Sequence, residues 1–242
     1  MFEKTYAVEN FLCHRNNHLS TRNIAFLMSD IMELNANSYG ASAAYHQARN
    51  LAWVLTDYEF DIFALPKARS DIIVGTLPYS FKKYFGYRKY QIRDNENTVY
   101  LHGRGKFVLI DTVTKKLVQP SETLLNMFTD ARREATSLSI SKYKPRKEHK
   151  LYVVETKVFE AYIDINNHMN NAQYVALAHD FLEKDLVNEA AIKHIKVHYR
   201  QEALYNTKLT FAYYREPEGI YVEIRSSSGL HAYVLFHLKD MS

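Results

Sequence analysis

A carboxylate, an amide and an imidazole stand at alternate positions in Asp164-Ile165-Asn166-Asn167-His168-Met169-Asn170-Asn171, immediately before a helical pattern. Alternate residues of an extended segment point the same way, so Asp164, Asn166 and His168 can converge on one bound substrate. The helix that follows, with Asn170 or Asn171 as its cap, offers backbone N–H groups where negative charge develops. Downstream, Tyr199-Arg200-Gln201-Glu202-Ala203 closes a strand pattern and supplies Glu202, a second carboxylate able to activate water or orient the imidazole. Such a set suits cleavage of a thioester, whose thiolate leaves readily. The demanding steps are then delivery of a nucleophile and stabilisation of the oxyanion. General acid or base help at such a site is worth about 10²- to 10⁴-fold.

The elements that must position these groups are legible as periodicities. From Trp53 to Ile62 the residues Val54, Thr56, Tyr58, Phe60 and Ile62 alternate with Leu55, Asp57, Glu59 and Asp61, the pattern of a half-buried strand. Strand-like runs follow at Asp71 to Leu77, Tyr87 to Arg93 and Val99 to Asp111, with Pro78, the surroundings of Asn95 and Thr112 to Lys116 as turns. Ahead of them Phe2 to Glu9 predicts a strand. Ile24, Leu27, Met28, Ile31, Met32 and Leu34 predict a helix, with Ser20 and Thr21 placed to cap it. The second half repeats the layout: strand Leu151 to Phe159, helix Asn171 to Leu186, then strands His194 to Tyr199, Lys208 to Tyr214, Tyr221 to Arg225 and His231 to His237.

Between the halves, Gln119 to Lys150 carries Pro120, Pro145 and many charges and reads as a linker. The expected division is 1–130, a linker at 131–150, and 151–242. The second helix has an apolar face broader than one flat sheet requires, so each sheet is expected to wrap its helix. That is an α+β chain of two tandem hot-dog domains.

Composition sets the outer limits. With 47% hydrophobic and 24% charged residues the chain falls outside the disordered and collagen-like classes. Cys13 is the single cysteine, which excludes an internal disulfide and points to a reducing, cytoplasmic setting. Neither a signal peptide nor an apolar run long enough for a bilayer is present, so membrane insertion is not expected. A net charge of +4 is too small to argue for nucleic acid, though it is compatible with an acidic protein partner. His14 and His18 have helix-compatible spacing without a glutamate-bearing zinc motif, and there is no Gly-rich phosphate loop. Neither a metal nor a nucleotide cofactor is expected.

The motif region resembles the catalytic region of the fatty acyl-ACP thioesterases of plants and bacteria. Their signature N-x-H-x-N-N-x-x-Y is met by Asn166, His168, Asn170, Asn171 and Tyr174, and their Y-R-x-E strand end by Tyr199, Arg200 and Glu202. Their W-V-x-T strand of the first half is met by Trp53, Val54 and Thr56. The resemblance implies hydrolysis of fatty acyl-acyl carrier protein, with the family's catalytic Asp, Asn, His and Glu on Asp164, Asn166, His168 and Glu202. It also implies an acyl pocket shaped by the first half, for which Met28, Met32 and Trp53 are candidate lining residues; a stripe at helical spacing is more often plain core. Ala203 stands where plant members often carry a cysteine, which disfavours a cysteine nucleophile and leaves water or Asp164 as the attacking group.

Two further segments have a bland reading beside a functional one. His14-Arg15-Asn16-Asn17-His18 echoes the motif 150 residues earlier and is read as a chance match in preference to a decayed copy, since five residues are weak evidence. Lys142, Lys144, Arg146, Lys147 and Lys150 form a basic stretch compatible with an acidic carrier protein and are read first as solvated linker. The competing functions are an acyl-CoA thioesterase, a hydratase of the same fold whose motif fits less well, and a non-catalytic acyl-binding protein. A monomer and a homodimer are both open, since each half can pair with the other.

Overall fold

The computed structural model describes residues 1–129, 147–182 and 192–238. The first half runs β1 (Phe2–Ala7), α1 (Thr21–Ser38), α2 (Ala43–Gln47), β2 (Leu51–Ile62), β3 (Asp71–Lys82), β4 (Phe85–Arg93), β5 (Val99–Asp111) and α3 (Glu122–Met127). The second runs β6 (Lys150–Lys157), α4 (Asn171–Asp180), β7 (Ile192–Tyr199), β8 (Lys208–Glu216), β9 (Gly219–Ser226) and β10 (Gly229–Leu238). These strands form one antiparallel sheet in the order β1-β3-β4-β5-β2-β7-β10-β9-β8-β6. Equivalent strands sit symmetrically about its centre, so the two halves are related by a pseudo-two-fold and meet where β2 pairs with β7. This is the tandem hot-dog arrangement expected from the sequence.

Burial explains the layers. The stripe Ile24, Leu27, Met28 and Ile31 of α1 and the Tyr174 to Ala178 turns of α4 join the inner faces of both half-sheets in one apolar core. The helices pack antiparallel, with Arg22 Nη1 2.7 Å from Asp180 Oδ2 at the start of α1 and the end of α4. Two tyrosine hydroxyls satisfy carbonyls that the end of α4 leaves open: Tyr213 donates to Ala178 and Tyr152 to Phe181, each at 2.9 Å. At the seam the outward side chains of β2 are acidic and those of β7 basic. Asp57 faces His198, Glu59 faces Lys196 and Asp61 faces His194.

Several expectations need correction. A bulge between Leu55 and Asp57 reverses the alternation of β2, so Leu55 is buried whereas Val54 is exposed. Thr56 instead donates from its hydroxyl to Asp57 Oδ2 (2.8 Å) and the Lys106 carbonyl (3.1 Å). Pro78 does not end its strand. β1 pairs with β3 only as far as Thr76, so Pro78 lies on an open edge, beside a bulge, where its missing N–H costs no ladder bond. The stretch Gln119 to Lys150, read as linker-like, contains α3, whose Leu124 packs with Phe128, Leu109 and Ala41 in a small core cluster. The far end of the second helix, including Leu186, and the basic residues Lys142, Lys144 and Arg146 lie outside the described residues; Lys150 is exposed.

Candidate active site

The loop before α4 is closed by its own backbone. Asp164 N–H donates to the His168 carbonyl and Asn167 N–H to the Asp164 carbonyl, both at 3.0 Å. Asn167 takes φ 64°, a left-handed conformation that asparagine tolerates. Asp164 Oδ1 accepts the Asn166 N–H at 2.8 Å, so this carboxylate shapes the turn as well as facing the imidazole. The segment is therefore a tight turn instead of an extended run. Asp164 and His168 meet because the turn brings them round, while Asn166 is exposed within it.

Glu202 reaches the same place through a second anchor. Met169 N–H donates to the Ala203 carbonyl at 2.8 Å, setting the residue after His168 against the residue after Glu202. His168 then lies between two carboxylates, with Nδ1 3.8 Å from Asp164 Oδ1 and Nε2 3.8 Å from Glu202 Oε2. Those gaps are too long for hydrogen bonds; catalytic contacts of this kind tighten when substrate binds. Glu202 is the most open of the three, its side chain 56% exposed against 27% for His168 and 20% for Asp164.

The start of α4 is less available than expected. Asn170 Oδ1 accepts the Ala172 N–H at 2.8 Å and the Asn170 carbonyl accepts the Gln173 N–H at 2.9 Å, so capping consumes donors that a developing oxyanion would need. Asn170 is thus the cap. The Asn171 carbonyl accepts the Tyr199 hydroxyl at 3.0 Å, which locks the helix to the end of β7.

One supporting residue, His231, escaped the sequence reading. Arg200 N–H donates to the buried His231 carbonyl at 2.8 Å, while His231 Nδ1 sits 3.2 Å from the Gln201 carbonyl and Nε2 2.7 Å from Ser226 Oγ. His231 therefore clamps the segment leading to Glu202. Burial holds its pKa below the usual imidazole value against the pull of the Gln201 and Glu202 backbone. Tyr174, read as a helix residue and as the last residue of the signature, is buried beside the site. Burial raises its phenol, the Ala203 backbone opposes that, and the Glu202 carboxylate adds to it. In sequence, His231 is one polar residue in an apolar alternation and gives no signal of its own.

The first half holds the same loop. His14 N–H donates to the His18 carbonyl at 2.8 Å and Asn17 N–H to the His14 carbonyl at 2.9 Å, with Asn17 at φ 65°. Leu19 N–H donates to Pro66 as Met169 does to Ala203, both at 2.8 Å. A full loop repeated in hydrogen bonding corrects the chance reading in favour of a copy. In this copy His14 replaces Asp164 and Leu65 replaces Glu202, so the imidazole of His18 has no carboxylate at either equivalent position. Cys13 matches Ile163 in position, and Ala203 is buried. Met28 is core; Met32 and Trp53 are partly buried against it. Among the described residues no cluster of three or more metal-ligating side chains could hold a metal ion, and no helix is long and apolar enough to cross a membrane.

Comparison with known proteins agrees with this architecture over nearly the whole length. Residues 1–128 match the family model of the acyl-ACP thioesterase N-terminal domain and residues 143–232 that of the C-terminal domain. The fold matches an acyl-ACP thioesterase of Bacteroides thetaiotaomicron at TM-score 0.86 and 17% identity, covering 98% of this chain and 97% of that one. It matches the 12:0-ACP thioesterase of Umbellularia californica at TM-score 0.86 and 16% identity, covering 98% and 96%. No curated protein sequence matches the chain.

Proposed function

Because the chain belongs to the acyl-ACP thioesterase family of thioester hydrolases, we propose that it cleaves fatty acyl-acyl carrier protein, releasing the free fatty acid and ending chain elongation. The observation that carries this reading is His168 held 3.8 Å from a carboxylate on each side. A mere binding tunnel has no need of such a polar set. Water attacks the thioester carbonyl carbon, forming the new C–O bond and pushing the carbonyl electrons onto oxygen. Glu202, the open member, takes the water proton with His168. Asp164, fixed by the Asn166 N–H, orients the imidazole. The Asn166 carboxamide is the candidate donor to the oxyanion. Collapse of the intermediate breaks the C–S bond and the carrier's thiolate leaves, to be protonated from the same dyad. In this scheme residues 151–242 carry the chemistry and residues 1–130 shape the acyl pocket, with 131–150 between them.

The test is thiol release from acyl carrier protein loaded with acyl chains of graded length, with His168→Ala alongside. Release by the native protein, lowered about 10²- to 10⁴-fold in the variant, is expected. Equal release by both removes His168 from the mechanism. A strong preference for the same acyl group on CoA reassigns the carrier, and tight acyl binding without hydrolysis reassigns the protein as a binder.

A further inference from the structure

Arg88 lies on the inner face of β4 and is only 6% exposed, an unusual place for a guanidinium. Its Nη1 donates to Asn35 Oδ1 of α1 at 2.6 Å and to Thr76 Oγ1 of β3 at 3.1 Å. Both partners are neutral, and among the described residues no carboxylate pairs with Arg88. The phenols of Tyr90, Tyr58 and Tyr39 are near enough to influence it. Burial pushes Tyr58 and Tyr90 above the ordinary phenol range, so they stay uncharged and give no counter-ion. An arginine does not shed its proton in a protein, and a buried charge without a matching acceptor is strongly unfavourable. Five N–H donors in a fixed fork make it a directional receptor for oxygen.

Its position links it to the chemistry. From the candidate site a row of buried rings crosses the seam: Tyr174 to Tyr199 at 5.8 Å between centroids, Tyr199 to Tyr58 at 6.5 Å, and Tyr58 to Tyr90 at 5.7 Å. Tyr90 shares the inner face of β4 with Arg88, and the Tyr58 and Tyr90 hydroxyls are 3.4 Å apart. Beyond Arg88 on that face Gly86 lies against Trp53 and Phe81, where the first half's smaller apolar cluster begins. The guanidinium thus interrupts an otherwise apolar and aromatic interior, inside the half that bears no carboxylate dyad.

Building on the thioesterase reading, we propose that Arg88, with Asn35 and Thr76, is a recognition point for a hydroxyl or keto oxygen carried on the acyl chain away from the thioester. A purely hydrocarbon chain passing this point brings the guanidinium no acceptor beyond Asn35 and Thr76, whereas an oxygen at the right carbon accepts from it. Sites that hydrogen-bond a substrate group discriminate strongly against analogues lacking it.

The experiment measures equilibrium binding of free fatty acids of one length to the full chain, with a hydroxyl walked along the carbons and the unsubstituted acid as reference. This readout does not need hydrolysis, so a failure of the thioesterase reading shows separately, as absent turnover with the preference intact. Native protein is expected to bind one positional isomer at least about tenfold more tightly than the unsubstituted acid, because the guanidinium is fixed in place. Arg88→Met should abolish that peak and bind the unsubstituted acid at least as well. A flat positional series in native protein overturns the proposal, whether or not the variant folds. A peak that survives in Arg88→Met also overturns it, leaving Arg88 as a tie between α1, β3 and β4.

Discussion

His168 and His18 occupy the same loop geometry, yet only one has acids on both sides. The imidazole of His168 sits 3.8 Å from each of Asp164 and Glu202, while the first-half copy offers His14 and Leu65 at those positions. His18→Ala is accordingly expected to leave kcat unchanged within error. Glu202→Gln should lower kcat about 10²- to 10⁴-fold, the span of general acid–base help. Asp164→Asn should lower kcat yet leave measurable turnover if Asp164 orients the imidazole, because an amide oxygen can still accept the Asn166 N–H. Loss of all turnover in that variant, with Glu202→Gln retaining some, would move the nucleophile to Asp164. These residues were readable in advance because three of the four are packed into five positions of chain. Asn35 with Arg88, and His231 with the Gln201 carbonyl, were not, since each pair is joined only by the fold: Asn35, Arg88 and Gln201 sit among other polar residues, and His231 is alone in an apolar alternation.

The seam between halves depends on charge order along two strands. Glu59 and Lys196 are equivalent positions of the two halves and are also direct partners across the pseudo-two-fold. Had both strands kept one sign of charge, like charges would lie opposite each other, a destabilising arrangement in antiparallel pairs. Instead Glu59 Oε2 is 2.7 Å from Arg104 on β5 and Oε1 is 3.2 Å from His194 Nε2 and 3.7 Å from Lys196. The His194 bond, opposed by burial and aided by these cations, holds the Glu59 carboxyl below its ordinary pKa. Glu59→Lys is expected to lower stability by about 1 kcal/mol or more, and adding Lys196→Glu to restore part of it; denaturant midpoints of the two variants read the coupling. No restoration would mean that Arg104 and His194 carry the interaction. Strand existence was legible from period-two patterns throughout. Strand phase was not, because the bulge at Leu55/Asp57 adds a residue that periodicity cannot register, and α3 was hidden by a proline and charges typical of a linker.

Three histidines, His46 and His231 buried and His237 half-buried, give the described part of the molecule one acid response. His46 in α2, His231 under the Glu202 segment and His237 on β10 all have pKa values lowered from 6.5, in each case chiefly by burial. Arg49 adds to the effect at His46, and His194 with Lys196 adds to it at His237; backbone carbonyls and the Glu218 and Glu59 carboxylates only partly oppose it. A depressed imidazole pKa means that the unfolded chain binds protons that the folded chain refuses. Stability from this source is therefore complete above about pH 6.5 and declines as the pH falls through that value towards the folded-state pKa values. Each such proton limits the slope to about 1.4 kcal/mol per pH unit. Glu59, whose pKa is lowered from 4.5, contributes loss only at more acid pH, so the two windows separate. Thermal melting should show a Tm that holds from pH 7.5 to about 6.5 and falls from there towards 5.5, with a shallower fall in His231→Gln, which keeps a polar group facing Ser226 and the Gln201 carbonyl but cannot titrate. The same variant should lower kcat at every pH by loosening the chain that carries Glu202, while leaving the binding of free fatty acid unchanged. A slope equal to that of the native protein would assign the acid response to His46 and His237 and leave His231 a purely positional role.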